Sequence, residues 1–175
     1  MRTSHGQGGG LPCGVRVVCA GAQARLRVAR DLNGVGCHDG RMDSHVTTYR
    51  TGDVERVLDL TSDAADWVAG RGDGLLHVFV PHATAGIAIL ETGAGSDDDL
   101  LAALRDLLPA DDRWRHRHGS LGHGRSHVMP ALIPPYASVP VLGGRLALGT
   151  WQSICLVDLN VDNAEREVRF SFVGG

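Results

Sequence analysis

The sequence predicts an α+β domain built mainly on antiparallel β-sheet with two short helices, and three observations carry that prediction. Short runs rich in β-branched residues recur through residues 42–175, only two segments show helical spacing, and Gly143-Gly144 joins two apolar runs as a two-residue hairpin. A chain of 175 residues suits one ordinary domain with a substantial core.

Residues 1–41 hold nine glycines and scattered Arg without a sustained period of 2 or 3.6. They read as a tail or an over-long start, with Met42 as the expected initiator and 42–175 as the domain. Residues 45–50, with Val46, Thr47 and Thr48, and residues 54–60, with Val54, Val57, Leu58 and Leu60 between polar neighbours, predict two early strands. Thr61 or Ser62 can cap a short helix through Ala69, because Asp63 and Asp66 lie near its positive end and Gly70 follows it. The Gly72-Asp73-Gly74 turn releases the chain into 75–80, a nearly continuous apolar run of the kind a buried strand needs. After His82-Ala83-Thr84-Ala85-Gly86, residues 87–90 form a further apolar run that ends at Glu91.

Asp97, Asp98 and Asp99 open the second helix, in which Leu100, Leu101, Leu104, Leu107 and Leu108 recur at helical spacing until Pro109 closes it. Residues 110–126 are expected to form a polar loop, and 127–133 to return to strand. Residues 139–142 and 145–148 flank Gly143-Gly144, where glycine tolerates the positive φ of a type I′ or II′ turn. Residues 152–159 and 167–173 complete the sheet, the latter with Val168, Phe170 and Phe172 alternating against Glu167, Arg169 and Ser171.

Composition narrows the function. A net charge of −3, with residues 1–41 carrying six Arg against Asp31 and Asp39, leaves the acidic excess in 42–175, which with 5% aromatics argues against nucleic-acid binding. No apolar run approaches the roughly 20 residues of a membrane helix. Cys13, Cys19, Cys37 and Cys155 form no C-x-x-C pair, so neither a disulfide framework nor a zinc knuckle is indicated. The apolar patch at 15–20 is too short for a signal sequence, so cytoplasmic residence is the expectation.

Four of the nine histidines, His116, His118, His123 and His127, fall within twelve positions beside Arg113, Arg115, Arg117 and Arg125. Neutral imidazole is the common ligand for zinc, whereas imidazolium or Arg holds phosphate; on composition alone the stretch reads equally as a solvated polar loop. His82 ends a predicted buried strand, where the scaffold and not a loop fixes its side chain. Glu91 suits an acid, a base or a polar strand end. In Gly149-Thr150-Trp151-Gln152 a hydroxyl, an amide and a ring can meet a polar ligand; the plainer alternative is the start of a strand with one core aromatic. Asp158 and Arg166 can pair across the last strands or simply face water.

Taken in order, these groups closely resemble the YjbQ-like, or secondary thiamine-phosphate synthase, family. That family has a His-Thr-Thr/Ser-Ala segment before a strand ending in Asn-Glu, similar to His82-Ala83-Thr84-Ala85 and Leu90-Glu91, with Ala83 replacing a hydroxyl residue and Leu90 replacing the Asn. An acidic residue in the helix is matched by Asp99, an aromatic-x-His by Trp114-Arg115-His116, and a small residue then His, eleven residues on, by Ser126-His127. This spacing selects His116 over His118 and His123. Val139-Pro140-Val141, the glycine turn and Leu148-Gly149-Thr150-Trp151-Gln152 match closely, Asp158 and Arg166 stand where the family has an acid and an Arg, and Pro134 stands where Gly is usual.

The resemblance covers residues 42–175. It implies an α+β fold, a homotrimer, and a site in which His82, His116 and His127 converge on a divalent metal, zinc foremost, or on an anion. Three imidazoles would leave a fourth metal position open. Glu91 or Asp99 would orient a histidine or move a proton, and Thr84, Thr150, Gln152 and Arg166 would bind a phosphorylated metabolite. The activity implied is a weak thiamine-phosphate synthase, joining hydroxymethylpyrimidine diphosphate to thiazole phosphate with release of diphosphate, magnesium accompanying the diphosphate substrate. The alternative is a module that binds metal or a phosphorylated metabolite without turnover.

Overall fold

The structure, a computed structural model, describes residues 42–175 and, in a separate N-terminal unit, the stretches Val15–Arg16 and Ala29–Arg30, which pair antiparallel. Otherwise the expected tail, with Cys13, Cys19 and Cys37, lies outside the described residues. Within 42–175 the strands are β1 Met42–Arg50, β2 Arg56–Asp59, β3 Gly74–Phe79, β4 Ala85–Leu90, β5 Tyr136–Leu142, β6 Arg145–Leu146, β7 Ser153–Asp158 and β8 Glu165–Gly174. The helices are α1 Thr61–Val68, α2 Ser96–Leu107 and the single turn α3 His123–Ser126, followed by a 3₁₀ turn at Met129–Ala131. Five strands run in the order β1-β8-β3-β5-β6 and three in the order β2-β7-β4, with every pairing antiparallel. The predicted α+β class with mainly antiparallel sheet is what the chain adopts.

Alternation explains how the sheets stack. Val168, Phe170 and Phe172 of β8 turn inward with Leu76 and Val78 of β3 and meet Ile87, Ile154 and Leu156 of the smaller sheet in one core, which Ala64 and Val68 of α1 also enter. Strand β7 is buried on both faces, so Val157, pointing away from that core, joins a second one with Leu101 and Leu104 of α2 and Leu108 just after it. The three-stranded sheet is therefore sandwiched between the larger sheet and α2. No helix among the described residues is long and apolar enough to cross a membrane.

Local chemistry sets the boundaries. Thr61 does not cap α1; Leu60 holds the N-cap position, the Asp59 carboxylate takes the Thr61 amide at 2.8 Å, and the Thr61 hydroxyl accepts the Ile154 amide at 2.9 Å, tying the helix to β7. At the hairpin both Gly143 and Gly144 have positive φ, 56° and 72°, the pattern of a type I′ turn. The pairing beyond it is shorter than the sequence suggests, since β6 stops at Leu146.

Residues 127–133, expected as strand, begin with the C-cap of α3 at His127 and contain the 3₁₀ turn Met129–Ala131 instead. Pro130 sits at the start of that turn, where its missing N–H costs nothing, whereas in a ladder it would break a hydrogen bond. The Arg125 guanidinium, buried against Glu55 and the Leu108 carbonyl, holds the helical turn in place.

Candidate metal centre

Gly122, at φ +77°, starts α3 so that His123 opens it and His127 follows its last residue, four positions on and hence on the same face. The polar stretch after α2 folds back over this turn. Trp114 Nε1 donates to the Pro109 carbonyl at 2.8 Å, and the His116 carbonyl passes so close to Gly124 that a Cβ there would stand 2.6 Å from it. Glycine at 124 thus lets the His116–His118 segment lie directly on α3.

Four imidazoles meet as a result. One ring nitrogen from each of His116, His118, His123 and His127 lies within 4.8 Å of all the others. His123 Nε2 and His127 Nε2 are 3.0 Å apart. The two are hydrogen-bonded, and nitrogens on a tetrahedral zinc at its usual bond length of about 2.0 Å stand roughly 3.3 Å apart, so a small separation of the rings would admit a shared ion. The rings of His116 and His118 are exposed and can close the remaining distance by side-chain rotation.

The electrostatics suit ligation. Burial, then neighbouring His118 and His123, keep His116 below the ordinary histidine range, and burial, then His116, His123 and His118, do the same to His127. Both shifts favour the neutral ring, the form that ligates a metal.

Asp162 backs the cluster from outside. Its carboxylate accepts from His123 Nδ1 at 2.5 Å and from the Ser120 amide and hydroxyl at 3.2 Å, contacts that keep it below the usual carboxylate range. A cavity of about 320 Å³ opens beside the cluster between Trp114, His116, Arg117, Leu121 and His123.

The other expected site residues are placed as follows. His82 is not in the four-histidine group; its Nε2 accepts the Glu167 amide at 3.0 Å, and burial, then the Arg166 charge, lower its pKa. Arg166, expected to hold phosphate, is fully buried and bound to Asp158, with Nη2 donating to Oδ1 at 3.0 Å and Nε 2.9 Å from Oδ2. Its guanidinium is thus occupied inside the protein. Thr84 is buried, Glu91 half-buried, and Asp99 exposed on α2. Thr150 and Gln152 are exposed, and Trp151, at 72% exposure, is no core aromatic.

Sequence reasoning set His118 and His123 aside on family spacing and did not single out Asp162. The signal for the last was the alternation Asp158-x-Asn160-x-Asp162, a run of residues that favour Asx turns.

A model of the family described as UPF0047 protein YjbQ-like matches residues 40–175. The UPF0047 protein Rv2556c of Mycobacterium tuberculosis strain H37Rv is 57% identical over 134 residues, covering 77% of this chain and 100% of that protein. Among solved structures, the hypothetical protein APE1520 from Aeropyrum pernix K1 is 32% identical with a TM-score of 0.68, covering 76% of this chain and 99% of the other. A YjbQ/UPF0047 protein from Clostridium acetobutylicum is 26% identical with a TM-score of 0.66, covering 74% and 99%. With its fold and nearly its whole described length matched in this way, the chain belongs to the YjbQ-like UPF0047 family.

Proposed function

We propose that this YjbQ-like protein is a metalloprotein in which His116, His118, His123 and His127 hold one divalent ion, zinc by preference, that acts on a small phosphorylated metabolite. The observation that carries the reading is the convergence of four imidazole nitrogens within 4.8 Å, with the surroundings of two of the rings favouring the neutral form. An all-nitrogen donor set suits zinc and its late-transition neighbours, whereas magnesium prefers oxygen and would arrive only with a diphosphate substrate.

In the transfer that the family resemblance implies, the methylene C–O bond of hydroxymethylpyrimidine diphosphate breaks, its electron pair leaves with the diphosphate, and the thiazole nitrogen forms the new C–N bond. A divalent ion at the cluster would offset the charge building on the departing diphosphate. Glu91 and Asp99 remain the carboxylates offered for proton transfer, and Thr84, Thr150 and Gln152 the polar groups offered to substrate. The exposure of Thr150, Trp151 and Gln152 suits residues completed by a neighbouring chain of a homotrimer. So does an exposed apolar row, Met42, Val173 and Leu75, in register across three strands on the outer face of the larger sheet.

One observation favours the alternative of a binding module without turnover: four imidazoles fill a tetrahedral ion and leave substrate no position, as in closed structural sites. Catalysis therefore requires one ring, most simply exposed His118, to yield to substrate.

Elemental analysis of the purified protein, wild type beside single alanine variants of the four histidines and of His82, tests the reading. About one metal per chain, lost in the cluster variants and kept in His82→Ala, is expected; a wild type that binds no zinc in dialysis sinks it. Incubation with the pyrimidine diphosphate and thiazole phosphate then separates the two roles, since bound but unaltered ligand identifies the module.

A further inference from the structure

His123 differs from its neighbours in the cluster because its outer nitrogen is held. Asp162 Oδ2 stands 2.5 Å from His123 Nδ1, and the side chain of His123 is only 7% exposed. A carboxylate accepts and does not donate, so the contact makes Nδ1 the protonated nitrogen and leaves the Nε2 lone pair free. In the metal-free protein that lone pair accepts from His127 Nε2, 3.0 Å away, the proton that an ion between the two nitrogens would replace.

The carboxylate is itself held. The Asp162 amide donates to Asn160 Oδ1 at 2.7 Å, the Asn160 amide donates to Asp158 Oδ1 at 2.9 Å, and Asp158 is the last residue of β7, paired with Arg166 where neither side chain meets solvent. Two successive side-chain-to-amide turns thus run from a rigid strand end to the edge of the histidine cluster. Ser120 closes the arrangement from the loop that carries His116 and His118, giving the same carboxylate its amide and hydroxyl.

We propose that Asp162 is the positioning residue of the metal centre: it holds His123 in the Nδ1–H tautomer with Nε2 turned to the ion, and Asn160 passes that constraint outward from the buried Asp158–Arg166 pair. The inference rests on the metal reading of the cluster. Neither His123 nor Asp162 belongs to the positions that the family resemblance selects. Carboxylate partners of this kind raise ligand basicity and fix ring orientation in metal sites generally.

Asp162→Asn tests it. The amide keeps the shape but accepts on only one atom. With its oxygen on the Ser120 amide, its NH₂ faces His123 and imposes the opposite tautomer, which protonates the ligating nitrogen. Zinc or cobalt(II) affinity, measured by competition with a chelator, is expected to fall about 10- to 100-fold, while the metal-free protein melts as the wild type does. In a His123→Ala background the same change is expected to shift affinity less than about 2-fold, because the group it acts through is gone. Histidine ¹⁵N spectra of the metal-free proteins are expected to show His123 protonated on Nδ1 in the wild type and on Nε2 in Asp162→Asn.

An equal loss of affinity in both backgrounds would overturn the proposal, placing the effect in the Ser120 loop. So would a wild-type His123 protonated on Nε2. A wild type that takes up no metal overturns the reading of the cluster itself, and the tautomer measurement, made without metal, still decides whether Asp162 holds His123.

Discussion

Glu55 takes Arg125 on one carboxylate oxygen and Arg105 on the other, the latter at 2.5 Å, and so fastens α3 to α2 through the segment before β2. Glu55 and Arg125 are nearly closed to solvent, with side-chain exposures of 13% and 7%. Glu55→Gln keeps the shape while leaving the Arg125 charge buried without its counter-ion, a change that costs about 3 kcal/mol in comparable buried pairs. Chemical denaturation is expected to show a loss of that size, and zinc affinity to fall with it, because α3 carries His123 and leads into His127. An unchanged midpoint would mean that the pair contributes nothing net.

Gly124 gives a second handle on the same turn. A Cβ there would stand 2.6 Å from the His116 carbonyl and 2.6 Å from Trp114 Cβ, neither of which can move without shifting the loop. Gly124→Ala is expected to destabilise the fold by about 1–3 kcal/mol as overpacking does, and to weaken zinc binding by displacing His116 and His118 from α3. Isothermal titration beside a thermal melt separates the two effects. Full zinc affinity in a folded variant would show that the approach of the two segments is not what assembles the cluster.

Much of this arrangement was legible in the residues, and the illegible part has a physical cause. Alternation in β8, the leucine spacing of α2 and the Gly143-Gly144 turn are local signals, and each element stands where its period puts it. The turn of α3 was not legible, because its support comes from Glu55, about 70 positions away, and from a glycine chosen for a neighbouring carbonyl. The density of histidines marked the site, but family spacing picked His116 and His127 and passed over His118 and His123, which only the folding-back of the loop brings beside them. His82, at the end of a predicted strand, and Arg166 are site groups by the family resemblance. In space His82 accepts a backbone amide of β8, and Arg166 is sealed against Asp158.

Cys155 illustrates burial without reactivity. It lies in β7 with no exposed surface, and burial first, then Asp59 and Asp97, push its thiol up to about 12. The thiolate is the nucleophile, so native protein treated with iodoacetamide is expected to leave the Cys155 peptide unmodified, while denatured protein is labelled there. Peptide mapping by mass spectrometry reads this directly. Rapid native labelling at Cys155 would show that the three-stranded sheet opens locally far more often than a doubly buried strand should.

His82 carries a pH dependence whose direction follows from its surroundings. Burial first, then the positive charge of Arg166, hold its pKa below the ordinary 6.5 in the folded protein, partly offset by Glu167 and Asp158. The unfolded chain therefore takes up a proton at a higher pH than the folded one, and stability present above pH 6.5 is lost as the pH falls toward the folded pKa. Of the neutral form, Nε2 is the nitrogen that accepts the Glu167 amide, and protonation removes that acceptor. His82→Gln can still accept the amide through its side-chain oxygen and does not titrate. In metal-free protein, so that the cluster histidines contribute equally to both, wild-type stability measured by urea denaturation is expected to fall more steeply below pH 6.5 than that of His82→Gln. Parallel curves would mean that His82 is as easily protonated folded as unfolded, and that its hydrogen bond to β8 carries no charge preference.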